Sequence, residues 1–106
     1  MMVELPAVTE TLEDFAREAD FFSIGTNDLI QYAMAVDRGN ESVSGLYQPG
    51  HPAILRLLAR VIRVGTEQDI GVSVCGEICG EPIYALLLLG MGLRQLSMQP
   101  NSLLEV

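Results

Sequence analysis

With 106 residues and 49% hydrophobic content, the chain has enough material for one ordinary core and too much apolar character for disorder. Fourteen acidic residues against six basic ones, all six of them arginine, give a formal charge of −8, which excludes a nucleic-acid or anionic-membrane surface as the working face. A small phosphorylated ligand stays compatible with that charge, because a few arginines and one metal ion hold it locally.

The longest apolar run, Ile83 to Leu89, falls far short of the roughly 18 residues that cross a bilayer. No basic stretch precedes an apolar one at the amino end, and two cysteines four apart make no disulfide framework, so the expected compartment is the cytoplasm.

Met1 to Leu5 reads as a strand ending at Glu4-Leu5-Pro6, with no earlier segment to pair with it, and the chain is expected to begin inside a fold. From about Ala7 to Ala19 the spacing predicts an amphipathic helix. Val8, Leu12, Phe15, Ala16 and Ala19 face inward, Glu10, Glu13, Asp14 and Glu18 face water, and Thr9 or Thr11 contributes to the cap. A strand over about Asp20 to Ile24 follows directly. Gly25 stops its aromatic and β-branched run, and Thr26-Asn27-Asp28 then lead into a short helix, about Asn27 to Val36, with Leu29, Tyr32, Ala33 and Val36 at helical spacing.

A turn-rich segment from Asp37 to Pro52 precedes a long helix that Pro52 opens, with Ile54, Leu55, Leu58, Val61 and Ile62 inward and Arg56, Arg60 and Arg63 on the wet side. The next strand, about Gly71 to Cys75, ends at Cys75-Gly76-Glu77. Glu81-Pro82 starts a helix through Leu89, closed by Gly90 in the left-handed conformation. A last strand, about Gln95 to Met98, ends in Gln99-Pro100-Asn101-Ser102, and Leu103 to Val106 reads as the first turn of a further helix. Four strand–helix units without an internal repeat predict an α/β fold with four parallel, adjacent strands.

In such a sheet the carboxyl ends of all strands share one edge, which gathers Glu4, the Thr26-Asn27-Asp28 group, Cys75 with Glu77, and Gln99 with Asn101. Each has two readings. Glu4 and Asp28 supply hard oxygens suited to magnesium, or they are helix-capping acids. Cys75 is an acid or nucleophile at the end of an apolar strand, or a structural buried thiol. Arg38 is a phosphate clamp, or a loop charge paired with Asp37. Cys75 and Cys79, with only His51 elsewhere, make a poor zinc set.

Taken together, Met2-Val3-Glu4-Leu5-Pro6, the block Asp20 to Asp28, Val36-Asp37-Arg38-Gly39-Asn40-Glu41, His51-Pro52-Ala53, Cys75-Gly76-Glu77 and Leu96-Ser97-Met98 resemble the carboxy-terminal phosphoenolpyruvate-binding domain of Enzyme I of the bacterial sugar phosphotransferase system, over nearly the whole chain. Phosphoenolpyruvate synthases and pyruvate phosphate dikinases resemble the Gly-Thr-Asn-Asp and Cys-Gly-Glu parts. The Val-Asp-Arg-Gly-Asn-Glu block is most similar to Enzyme I or its nitrogen-regulatory paralogue.

The resemblance implies that residues 1–106 are the carboxy-terminal half, strands five to eight, of a TIM (β/α)8 barrel. It also implies magnesium on Glu4 and Asp28, contacts to the phosphate of phosphoenolpyruvate from Asn27 and Arg38, and protonation of the pyruvate enolate by Cys75. In such proteins the phosphoryl group passes to a histidine on another domain and then to the carrier HPr, and nothing here resembles either docking part. His51 is not expected to be the acceptor.

The expectation is therefore a phosphotransferase piece that does not turn over alone. Its four-stranded sheet, with open edges and an uncovered face, is expected to self-associate. The alternatives are a piece of a synthase or dikinase, or a non-catalytic barrel module.

Overall fold

The computed structural model describes residues 1–106. Four strands, β1 (Met2–Val3), β2 (Phe21–Gly25), β3 (Gly71–Cys75) and β4 (Gln95–Ser97), form one sheet in sequence order, and every neighbouring pair is parallel. The α-helices are α1 (Leu12–Ala16), α2 (Thr26–Met34), α3 (Pro52–Glu67) and α4 (Pro82–Gly90). Parallel neighbours need a crossover: α1 lies in the first, α2 and α3 in the second and α4 in the third. The order, direction and alternation are those of half a (β/α)8 barrel.

The register explains how the sheet divides its labour. Val3 pairs with Ile24, and Ile24 with Val74, which pairs in turn with Leu96, so one apolar row crosses the sheet on the side that the helices cover. Val3, Phe22, Ile24 and Val74 are buried there with Leu12, Leu29, Ile54, Leu58, Val61 and Leu88 in a single core. Side chains alternate along a strand, so the neighbouring row points the other way. It holds Gly25, Cys75 and Ser97, and the row before it holds Met2, Ser23, Ser73 and Gln95. No helix covers this second face, and at its lower end Phe21 is 55% and Met2 48% exposed.

The long helix α3 forms as its pattern predicts. His51 Nδ1 accepts the Ala53 N–H at 3.1 Å, Pro52 takes the first helical position, and Ile54, Leu58, Val61 and Ile62 are buried. The predicted helix over Ala7 to Ala19 is instead two pieces, a 3₁₀ turn at Pro6–Glu10 and the short α1, broken at Thr11 with φ −127° and ψ 25°. Thr11 takes the N-cap position of α1 but makes no side-chain capping bond. Thr9 is buried, and its hydroxyl donates back to the Pro6 carbonyl at 2.6 Å, a local bond that competes with regular helix. The shortened helix leaves Phe15 40% exposed rather than inward.

Helix α2 buries Leu29 and packs Ala33 against the core as predicted, with Val36 buried just beyond its end, but Ile30 takes the inward place expected of Tyr32, which is 52% exposed. It ends with Ala35 left-handed at φ 52° and the Val36 N–H donating to the Gln31 carbonyl at 3.0 Å. In α4 the left-handed residue is Gly92, at φ 104°, and not Gly90, because the helix runs on through Gly90. The strand at Gln95 stops at Ser97, one residue short of Met98, and a 3₁₀ turn at Pro100–Ser102 follows. A further 3₁₀ turn, Glu77–Gly80, lies between β3 and α4.

Candidate functional site at the carboxyl edge of the sheet

The ends of β2 and β3 are tied together by side chains from the turn that starts α2. Thr26 is fully buried, and its hydroxyl donates to the Cys75 carbonyl at 3.0 Å. One residue on, Asn27 Oδ1 accepts the Glu77 N–H at 3.1 Å. Between these two bonds lies Gly76, at φ 135° and ψ 174°, in a conformation that L side chains rarely adopt. A Cβ there would fall 2.0 Å from Thr26 Oγ1 and 3.1 Å from Asn27 Oδ1. Only glycine lets the two strand ends approach this closely.

The clasp borders a cavity of about 470 Å³ whose walls include Asn27, Cys75, Glu77, Ser97, Gln99 and Ser102. Cys75 is half-buried there. Its thiol donates to the Ile24 carbonyl at 3.5 Å and lies 3.9 Å from Ser23 Oγ. Cys79 is a different thiol. Buried and donating to the Val74 carbonyl at 3.5 Å, it is pushed up to about 11, mainly by burial and then by Cys75. A protonated, inaccessible sulfur is a core atom, and Cys79 is one.

Asn27 and Cys75 thus share the cavity; Arg38, Glu4 and Asp28 are not among its walls, and Arg38 is tied to it through Glu77. Arg38 Nη1 donates to Glu77 Oε1 at 3.0 Å, so its partner is not Asp37, whose Oδ1 accepts the Gly39 N–H at 2.9 Å. Sequence adjacency favoured Asp37. That side chain instead closes its own turn, and the guanidinium spans the gap to the β3 end.

Glu4 lies against the end of β2, since a Cβ on Gly25 would meet its Oε2 at 3.1 Å, and Gly25 pairs with Cys75. Asp28 sits in the first turn of α2. The N-cap positions after β1 and β2 belong to Leu5 and Gly25. The acids in the chain's four ion pairs are Asp14, Glu77, Glu10 and Glu67, which leaves both Glu4 and Asp28 unpaired.

Tyr47 escaped the sequence reading. Its hydroxyl is shielded from solvent without a hydrogen-bond partner. Burial pushes the phenol above its ordinary value, Arg38 pulls it down, and Glu77 and Asp28 push it up. Nothing in its local sequence marks it, because the long loop from Asp37 to His51 brings it there. Gln99, expected at the shared edge, is indeed a wall of the cavity, whereas Ser97 becomes one only once the strands are in register.

The family of PEP-utilising enzymes, PEP-binding domain, matches residues 1–106. The chain belongs to this family. Its relatives include the phosphoenolpyruvate-protein phosphotransferase of Latilactobacillus sakei, 56% identical over 106 residues and all of this chain. Those of Bacillus subtilis and Cupriavidus necator are 54% identical over 104 residues and 52% over 105, covering 98% and 99% of the chain. In each case the match spans 18% of the relative's length. Within the PEP-binding family the rim described above is therefore one part of a much larger protein in those relatives. No helix is long and apolar enough to cross a membrane.

Proposed function

We propose that the chain supplies part of the phosphoenolpyruvate site of an Enzyme I-type phosphotransferase of the sugar or nitrogen branch, acting in the cytoplasm. The observation that carries the reading is the cavity shared by Asn27 and Cys75 at the end of a parallel sheet, in a chain whose relatives are named phosphoenolpyruvate-protein phosphotransferase. Asn27 and Arg38 bind the phosphoryl oxygens. Cys75 is the acid of this reading, delivering its thiol proton to the enolate carbon of departing pyruvate.

Magnesium fits the donor set. Glu4 and Asp28 offer hard carboxylate oxygens that no cation of the chain occupies, and no cluster of three or more ligating side chains forms a cage. Two carboxylates with water and substrate phosphate completing the shell is a mode magnesium favours. When bound, it neutralises charge on a phosphoryl group in a loose transition state, where positioning and electrostatics supply most of the rate. The acceptor histidine and the surface that docks the separate carrier HPr belong to other parts of the longer protein, so this chain binds without turning over.

The uncovered sheet face and the free edges of β1 and β4 support self-association as well. Sedimentation at high micromolar concentration is expected to show a dimer or larger species, and a sharp monomer boundary rejects that part of the proposal. Calorimetric titration tests the site. Phosphoenolpyruvate is expected to bind only with magnesium, and Asp28→Ala to abolish the heat; metal-independent binding would remove Glu4 and Asp28 from the reading.

A further inference from the structure

We infer that Glu77 is a positioning residue that presents Asn27 and Arg38 to an anion. The inference rests on the phosphoenolpyruvate reading and concerns a residue that reading gives no role. Glu77 touches both proposed phosphate contacts at once: its backbone N–H donates to Asn27 Oδ1 at 3.1 Å, and its carboxylate accepts Arg38 Nη1 at 3.0 Å.

The chemistry of these two bonds matters more than their strength. Asn27 turns its carbonyl oxygen to the Glu77 N–H, which fixes the amide so that its NH₂ is the end left over. Arg38 spends one of five N–H groups and keeps the rest. Both side chains are thereby left with donors, which is what phosphoryl oxygens require. Without the Glu77 N–H the Asn27 amide is free to turn its carbonyl toward the anion, and without the carboxylate the guanidinium loses its anchor to the β3 end.

The fold commits backbone to this arrangement. Gly76, whose φ of 135° excludes ordinary residues, aims the Glu77 N–H at Asn27, and Arg38 reaches Glu77 from a loop 39 residues away in sequence. The ion pair is exposed, with the two side chains 39% and 67% accessible, so its contribution to folding is small and its effect on ligand geometry can be read separately.

The test is a double-mutant cycle on the whole chain, with calorimetric affinities for phosphoenolpyruvate at saturating magnesium and a thermal melt of every variant. Glu77→Gln is expected to weaken phosphoenolpyruvate by about fivefold, the scale of one surface ion pair, without shifting the unligated melting midpoint. In an Arg38→Ala background the same substitution is expected to change affinity less than about twofold, because the carboxylate acts through Arg38. Equal or tighter binding by Glu77→Gln overturns the positioning role, as does an additive cycle. Failure of the unmutated chain to bind phosphoenolpyruvate overturns the function proposed above, and this inference with it.

Discussion

The two faces of the sheet are made from the same strands of two to five residues, yet they do opposite work. On the covered face Val3, Ile24, Val74 and Leu96 stand in one row against the helices, and their burial holds the chain together. On the bare face the equivalent row is Gly25, Cys75 and Ser97, small and polar groups whose neighbours are a cavity and the unpaired Glu4. The lesson is that a pleat of period two separates stability from chemistry one residue at a time, so substitutions at adjacent positions should report on different properties.

The sharpest contrast is expected at Phe22 and Ser23. Phe22→Ala, in the core, should lower the unfolding free energy by about 3–5 kcal/mol in urea titrations, whereas Ser23→Ala on the bare face should cost under about 1 kcal/mol. Similar losses at both would mean the bare face is covered in solution. Next is Gly76→Ala, where positive φ and the overlap with Thr26 should cost about 2–4 kcal/mol and abolish phosphoenolpyruvate binding.

Alkaline titration probes the covered side further. The Cys79 thiol is raised from its ordinary 9.0 to about 11 in the fold, so its contribution is intact below pH 9 and fades as pH climbs through 11. The loss should approach about 2 kcal/mol, and Cys79→Ala should flatten the curve between those pH values. The smallest effect is expected at Cys75→Ala. Stability should move by under about 1 kcal/mol and phosphoenolpyruvate affinity by less than about twofold, because a group that delivers a proton adds little to ground-state binding.

The strands and α3 were legible because their signals are local and strong: Gly25 and Gly76 punctuate apolar runs, and Pro52 opens a pattern sustained to Glu67. The parallel order followed from that alternation. What resisted reading was tertiary. The Thr9 hydroxyl turned a helical pattern into a broken one, Phe15 and Tyr32 had the right spacing on the wrong side, and Arg38 chose Glu77 over the adjacent Asp37. At the rim, sequence placed residues at strand ends, Gln99 among them, while the wall built by Ser97 and the surroundings of Tyr47 depend on register and on a long loop.

The opening strand spans only Met2–Val3, and Glu4 hangs from its end, whereas Asp28 sits on a nine-residue helix. So brief a ladder is the first part of the sheet to fray, and amide exchange at Val3 should run ahead of that at Ile24. A ligand that bridges the two acids would draw the frayed end shut and slow that exchange, making the edge of the sheet its own reporter of occupancy.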